Sequence, residues 1–198
     1  IGVPEEATFE GIPPRKTGTM VCYGTSIVHG AYATHPGMVY PSILGRRLSL
    51  PVINLGVSGN AKMEIEIADL LAELDACVYI LDPLPNMNLE LVNERAEAFI
   101  SRLRERRPHT PIILVEDFPR THSWARPRIL QDVVTKCQRY RDIVRSLQAA
   151  GMTGLSYIGG EDLIGTDNEV CIDGIHPSDL GYMRMANKIE PILRSCLL

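Results

Sequence analysis

The chain has 198 residues, 45% of them apolar and 22% charged, which suits one domain with a full packed core and is far from disorder. Twenty basic against 24 acidic residues leave a formal charge of −4, which removes the electrostatic case for nucleic acid as principal partner. No apolar run approaches the roughly 20 residues that cross a bilayer. The five scattered cysteines (Cys22, Cys77, Cys137, Cys171, Cys196) fit neither a disulfide-dense scaffold nor a CxxC zinc site. They read as small buried hydrophobes, and their odd number leaves at least one thiol unpaired.

The chain opens at Ile1 rather than Met, as expected of a processed or excised piece. Residues 1–18, with three prolines and three glycines and no sustained period, read as a linker or N-terminal strap arriving from a preceding domain. Residues 19–198 form the folded domain. Short apolar runs rich in β-branched or aromatic residues predict strands at Thr19–Tyr23, Val52–Leu55, Cys77–Leu81, Ile112–Val115 and Leu155–Ile158. Helical stripes lie between them. One is Tyr40, Ile43, Leu44 and Leu48, and the next is Met63, Ile67, Leu70, Leu71 and Leu74. Leu89, Val92, Ala96, Phe99, Ile100 and Leu103 form a third, which the basic run Arg102–Arg107 ends as a solvated, dipole-favouring terminus. Ile129, Val133, Cys137, Tyr140, Val144 and Leu147 form a fourth, with steps of three and four. A last helix starts near Ser178, a plausible N-cap.

Strand–helix alternation repeated five times predicts a parallel sheet covered on both faces, a three-layer α/β/α domain. Such folds place their sites beyond the carboxyl ends of the strands. Four polar, glycine-punctuated segments fall there or near the C-terminus: Gly24-Thr25-Ser26-Ile27, Gly56-Val57-Ser58-Gly59-Asn60, Asp82-Pro83-Leu84-Pro85-Asn86-Met87-Asn88, and Asp173-Gly174-Ile175-His176-Pro177. Each alone has an ordinary reading as a turn, a cap or a loop, and Asn88 could cap the third helix. Together they contain every part that acyl transfer requires. A serine hydroxyl becomes a nucleophile when an imidazole accepts its proton, and a carboxylate fixes that imidazole's tautomer. Asp173 and His176 can supply the pair from one turn. Ser26 N–H, Gly59 N–H and the Asn86 amide are candidate donors to the tetrahedral oxyanion.

In these four blocks, taken in order, the chain resembles the SGNH (GDSL-like) hydrolase superfamily over about residues 19–198. The resemblance implies a flavodoxin-like fold with a central five-stranded parallel sheet, and esterase or acylhydrolase activity with neither metal nor cofactor. It assigns Ser26 as nucleophile, Gly59 and Asn86 as partners of Ser26 N–H in the oxyanion hole, His176 as base and Asp173 as its orienter. Two departures stand out. The usual GDS is Gly24-Thr25-Ser26, and the usual GxND block is replaced by Leu81-Asp82-Pro83-Leu84-Pro85-Asn86. Asn86 is preferred to Asn88 as donor because it lies nearer the strand end. The variant blocks look closest to a bacterial subgroup in which a β-sandwich domain often precedes the hydrolase, which implies an exported protein.

Competing motifs fail. The second glycine of a GxSxG elbow is missing, and neither GxGxxG after a strand nor a Walker lysine motif is present. His29 and His35 lack metal-ligand spacing. The polar loop Glu116–Trp124 should overhang the crevice, with Trp124 either a helix-start anchor or a stacking wall for substrate. Arg120 is a candidate for an acidic substrate group, or else a partner of Glu116 or Asp117. His122 reads as a loop histidine. The expected activity is removal of short acyl groups, acetyl first, from a glycan or small alcohol. The alternatives are a lysophospholipase or thioesterase with longer acyl preference, and a non-catalytic carbohydrate-binding module on the same fold.

Overall fold

A computed structural model describes residues 2–12 and 18–197. Of the expected strap, residues 1 and 13–17 lie outside the described residues, as does residue 198; residues 2–12 are exposed throughout. Five strands follow, β1 (Thr19–Gly24), β2 (Val52–Gly56), β3 (Ala76–Asp82), β4 (Ile112–Val115) and β5 (Leu155–Ile158). They form one all-parallel sheet in the order β2-β1-β3-β4-β5. Strands β4 and β5 have the predicted limits, and the first three run on by one residue at their carboxyl ends. The helices are α1 (Ser26–His29), α2 (Tyr40–Leu48), α3 (Ile65–Glu73), α4 (Leu89–Arg106), α5 (Pro127–Ala149) and α6 (Asp179–Cys196).

Alternation along the strands builds two cores, because successive side chains leave opposite faces of a sheet. Val21, Tyr23, Tyr79 and Leu81 meet α3, α4 and α5 on one face. Met20, Cys22, Val78 and Ile80 meet α1, α2 and α6 on the other. Both faces are covered, which is why β3 and β4 are almost continuously apolar. Among the described residues no helix is long and apolar enough to cross a membrane.

Three local expectations are corrected. In α3, Ala68, Leu71 and Ala72 face the core and Leu70 is 56% exposed, because the small residues let the helix lie close to the sheet. The basic run at the end of α4 is not merely solvated. Arg104 donates to the carbonyls of Arg107, Pro108, Thr110 and Gly154, and Arg107 to those of Ala72 and Leu74, so two guanidiniums tie off neighbouring loops. Of the cysteines only Cys22 and Cys137 are buried; Cys77, Cys171 and Cys196 are partly exposed, and all five are free thiols.

The sheet order matters for function. Connections leave β1 and β3 toward opposite faces, which opens a crevice at their carboxyl ends. Gly24 pairs with Gly56 of β2 on one side and Asp82 of β3 on the other, so three loops depart from one level of the sheet. Those loops carry Ser26, Gly59 and Asn86.

Candidate active site

Ser26 is the first residue of α1, a single turn packed directly on the end of β1. The turn is tight because Gly24 has no side chain: a Cβ there would lie 2.4 Å from Val28 Cγ2 and 2.5 Å from the Asp82 carbonyl oxygen. Thr25, fully buried, caps α1 by accepting from Ile27 N–H at 3.2 Å. Threonine in place of the usual aspartate therefore keeps the cap and brings no second carboxylate beside buried Asp82.

His176 and Asp173 arrive from the far end of the chain. Their loop is closed at its neck by Ile172 N–H to the His176 carbonyl (3.0 Å) and Ser178 N–H to the Val170 carbonyl (2.7 Å). Asp173 Oδ1 accepts from the backbone N–H groups of Ile175 (2.9 Å) and His176 (2.8 Å), which leaves Oδ2 for the His176 ring. His176 Nδ1 lies 2.7 Å from that Oδ2, and Nε2 lies 2.8 Å from Ser26 Oγ. Burial by itself would raise the Asp173 pKa. The bonds from the His176 backbone and ring and from Ile175 N–H outweigh it and hold the carboxyl at about 2. An ionised carboxylate only accepts, so the proton between them sits on Nδ1 and Nε2 is the acceptor facing the serine hydroxyl. Asp82, fully buried beneath the crevice, goes the other way. Desolvation and the nearby Asp117 charge raise it well above the usual carboxylate range, against the Tyr40 hydroxyl bond and the Arg120 charge.

The remaining blocks are placed as follows. Gly59 lies on an exposed turn with φ +73°, and no atom lies within 4 Å of where its Cβ would be, so its backbone is open to a ligand. Asn86 ends a single 3₁₀ turn, Leu84–Asn86, after β3. Its Nδ2 is buried and donates to nothing. Orphaned buried donors are uncommon and call for an explanation. Arg104 Nε, Ser123 Oγ and Tyr140 Oη are also unpartnered, but of these four atoms only Asn86 Nδ2 sits on the loop leaving β3 beside the strand that leads to Ser26. Asn88 is occupied elsewhere: its Oδ1 caps α4 by accepting from Leu91 N–H at 2.9 Å.

In the loop after β4, Arg120 takes up one of its two expected roles, the ion pair with Asp117. Arg120 is buried, and both its terminal nitrogens donate to Asp117 (2.8 and 2.9 Å), so it is an internal ion-pair partner and its guanidinium is not free for a substrate. Glu116 pairs instead with Arg141. Trp124 is 82% exposed, which excludes the anchor reading. His122 Nδ1 lies 3.2 Å from the Gly174 carbonyl, which also accepts from Thr121 N–H (3.1 Å), so this loop touches the Asp173–His176 turn.

Sequence patterning gave no sign of Tyr32. Its ring lies 5.7 Å from the His176 ring, centroid to centroid, and is half exposed. The backbone is held at φ +63°, strained for an aromatic residue. Tyr182 Oη donating to the Ala31 carbonyl (2.7 Å) and Thr34 bonded twice to Asp179 fix the segment on either side.

Comparison with known proteins agrees with this geometry. Residues 17–194 match the GDSL-like Lipase/Acylhydrolase family. A protein of Bacteroides ovatus described as a GDSL-like lipase is 37% identical, with a TM-score of 0.87 over 91% of this chain and 54% of its own. At 18% identity, the salicylyl-acyltransferase SsfX3 of a tetracycline biosynthetic pathway superposes with a TM-score of 0.78, covering 92% of this chain and 56% of its own. A carbohydrate acetylesterase family member from Sinorhizobium meliloti, also 18% identical, does so at 0.68, covering 91% and 99%. No curated protein matches. The chain spans about half the length of the first two of these structures. With the family match spanning nearly the whole chain and the fold shared with these structures, the chain belongs to the GDSL-like lipase/acylhydrolase family of SGNH serine hydrolases.

Proposed function

We propose that the chain is a serine esterase that removes short acyl groups, acetyl first, from a carbohydrate or other small alcohol through an acyl-enzyme. One observation carries the reading: Ser26 Oγ, His176 and Asp173 stand in hydrogen-bonded relay at 2.8 and 2.7 Å. Ser26 Oγ attacks the ester carbonyl while Nε2 takes its proton, and Asp173 stabilises the imidazolium that forms. Charge developing on the carbonyl oxygen is met by Ser26 N–H, Gly59 N–H and Asn86 Nδ2. His176 then returns the proton to the departing alcohol, and water repeats the sequence on the acyl-enzyme.

A sugar alcohol is supported by Tyr32, whose half-exposed ring stands beside the histidine that protonates the leaving group. Likeness to a carbohydrate acetylesterase family member points the same way. Ser26→Ala is expected to abolish p-nitrophenyl acetate hydrolysis with the fold intact, and retained turnover would remove Ser26 from the mechanism. A p-nitrophenyl ester series should peak at two carbons; a maximum at eight or more would replace this reading with a long-chain acylhydrolase. Inertness to a fluorophosphonate probe alongside glycan binding would establish a non-catalytic module instead.

A further inference from the structure

Lysine 136 lies on the buried face of α5, between the core residues Val133 and Cys137. Its side chain is only 8% exposed, and its ammonium meets three acceptors: the Leu84 carbonyl (2.7 Å), the Met87 carbonyl (3.0 Å) and Asp117 Oδ2 (2.8 Å). An ammonium has three protons, so its donors are all used. The two carbonyls bracket Asn86. Asp117, at the exit of β4, is itself fully buried and held from the other side by Arg120.

A buried ion pair is weak evidence for stability, since well-packed apolar residues of similar volume often serve a fold as well or better. What this pair does do is fix a turn. Backbone hydrogen bonds close the turn from Asn86 N–H to Pro83 and from Met87 N–H to Leu84, and neither involves the Asn86 side chain. Oxyanion stabilisation requires donors placed beforehand to within a few tenths of an ångström.

We infer that Lys136, anchored by Asp117, is a positioning residue of the reaction: it clamps the Leu84–Met87 turn so that Asn86 Nδ2 is aimed at the oxyanion. The inference rests on the reading of Asn86 as oxyanion donor, and the test separates the two. Kinetics on p-nitrophenyl acetate are measured for Asn86→Ala, Lys136→Met and the double variant, with binding of a trifluoromethyl ketone that mimics the tetrahedral intermediate. Lys136→Met should lower kcat about 10- to 100-fold, less than outright loss of a donor at about 10²- to 10³-fold, with KM within about twofold. Ketone affinity should fall in parallel. In the Asn86→Ala background the lysine substitution should cost almost nothing further, because the group it aims is gone.

If Asn86→Ala leaves kcat unchanged, the oxyanion assignment fails. If Asn86→Ala is impaired and Lys136→Met is not, or if the two losses multiply, the clamp fails and the assignment stands. Lys136→Gln, which keeps an N–H₂ donor on a shorter stem, is measured alongside. It should fall between wild type and Lys136→Met, and it supplies the cycle if the methionine variant does not accumulate.

Discussion

Replacing Asn86 by alanine should separate activity from stability. Asn86 Nδ2 is buried and meets no protein acceptor, and a buried donor left without a partner costs about 1–3 kcal/mol. Truncation removes that cost and gives up some packing by a residue that is only partly buried. The melting temperature should therefore stay level or rise, by roughly 2–4 °C for each net kcal/mol in a chain of this size. On the proposed reading the oxyanion meanwhile loses one of three donors, worth about 2.7–4 kcal/mol of barrier, or a roughly 10²- to 10³-fold loss in kcat. KM should hardly move, since the donor is unpaired until the carbonyl becomes tetrahedral. Thermal unfolding and steady-state hydrolysis of p-nitrophenyl acetate measure both quantities on one preparation. A fall in melting temperature with kcat retained would refute the reasoning, because it would make Asn86 a structural residue whose amide has a partner in solution.

Two further outcomes follow from the base turn. Gly174 has φ +86°, and a Cβ there would lie 2.1 Å from His122 Nδ1; left-handed backbone alone costs a non-glycine residue about 1–2 kcal/mol. Gly174→Ala should thus lower kcat/KM at least about tenfold by displacing Asp173 and His176, and adding His122→Gly should recover part of it by relieving the collision but not the backbone strain; full activity in the single variant would contradict this. Asp173, held at about 2, has a depressed carboxyl, so its contribution to stability is complete above its unfolded value near 3.9 and is lost as pH falls through about 2. Any acid limb of kcat/KM above pH 4 must then come from another group, and a carboxyl carbon-13 titration of Asp173 with its midpoint above 4 would overturn the relay geometry.

Much of this was legible in the chain because period and position are strong signals. Five short apolar runs between 3.6-period stripes specify a parallel sheet, and the parallel sheet says which ends of those runs to search. That logic led to the loop carrying Ser26, while Asp173 and His176, the latter 150 residues from the serine, were added by the chemistry of acyl transfer and the resemblance to the SGNH blocks. It also placed Asn88 as a candidate cap. Side-chain partnering was another matter. Trp124 and Leu70 are apolar in composition and exposed in place, because a local pattern cannot show which neighbours are left to cover them. Arg104 and Arg107 resemble a solvated helix end until the end of α3 and the turn before β5 come round to meet them. Tyr32 gave no warning, since its left-handed backbone is imposed by α6 holding the residues around it. Lys136 is a polar residue inside an apolar face, and its three acceptors come from two other segments.

Those contacts reveal how the two halves of the site are kept in step. The Asp173–His176 turn and the Leu84–Met87 turn lie far apart in the chain and share no hydrogen bond with each other among those described. The first is bonded directly to the segment that leaves β4, and the second is joined to it through Lys136 of α5. Asp117 holds Lys136 against the turn carrying Asn86, while Thr121 N–H and His122 Nδ1 meet the Gly174 carbonyl between Asp173 and His176. Arg120, midway along, is fastened to Asp117 and so stiffens the stretch that joins them. A carbonyl under attack needs its proton acceptor and its oxyanion donors in register at the same moment. On the proposed reading, one short loop, rooted in the fully buried strand β4, sets that register for both. On the proposed reading, its buried charged residues Asp117 and Arg120 serve the site by supporting the groups on either side of it.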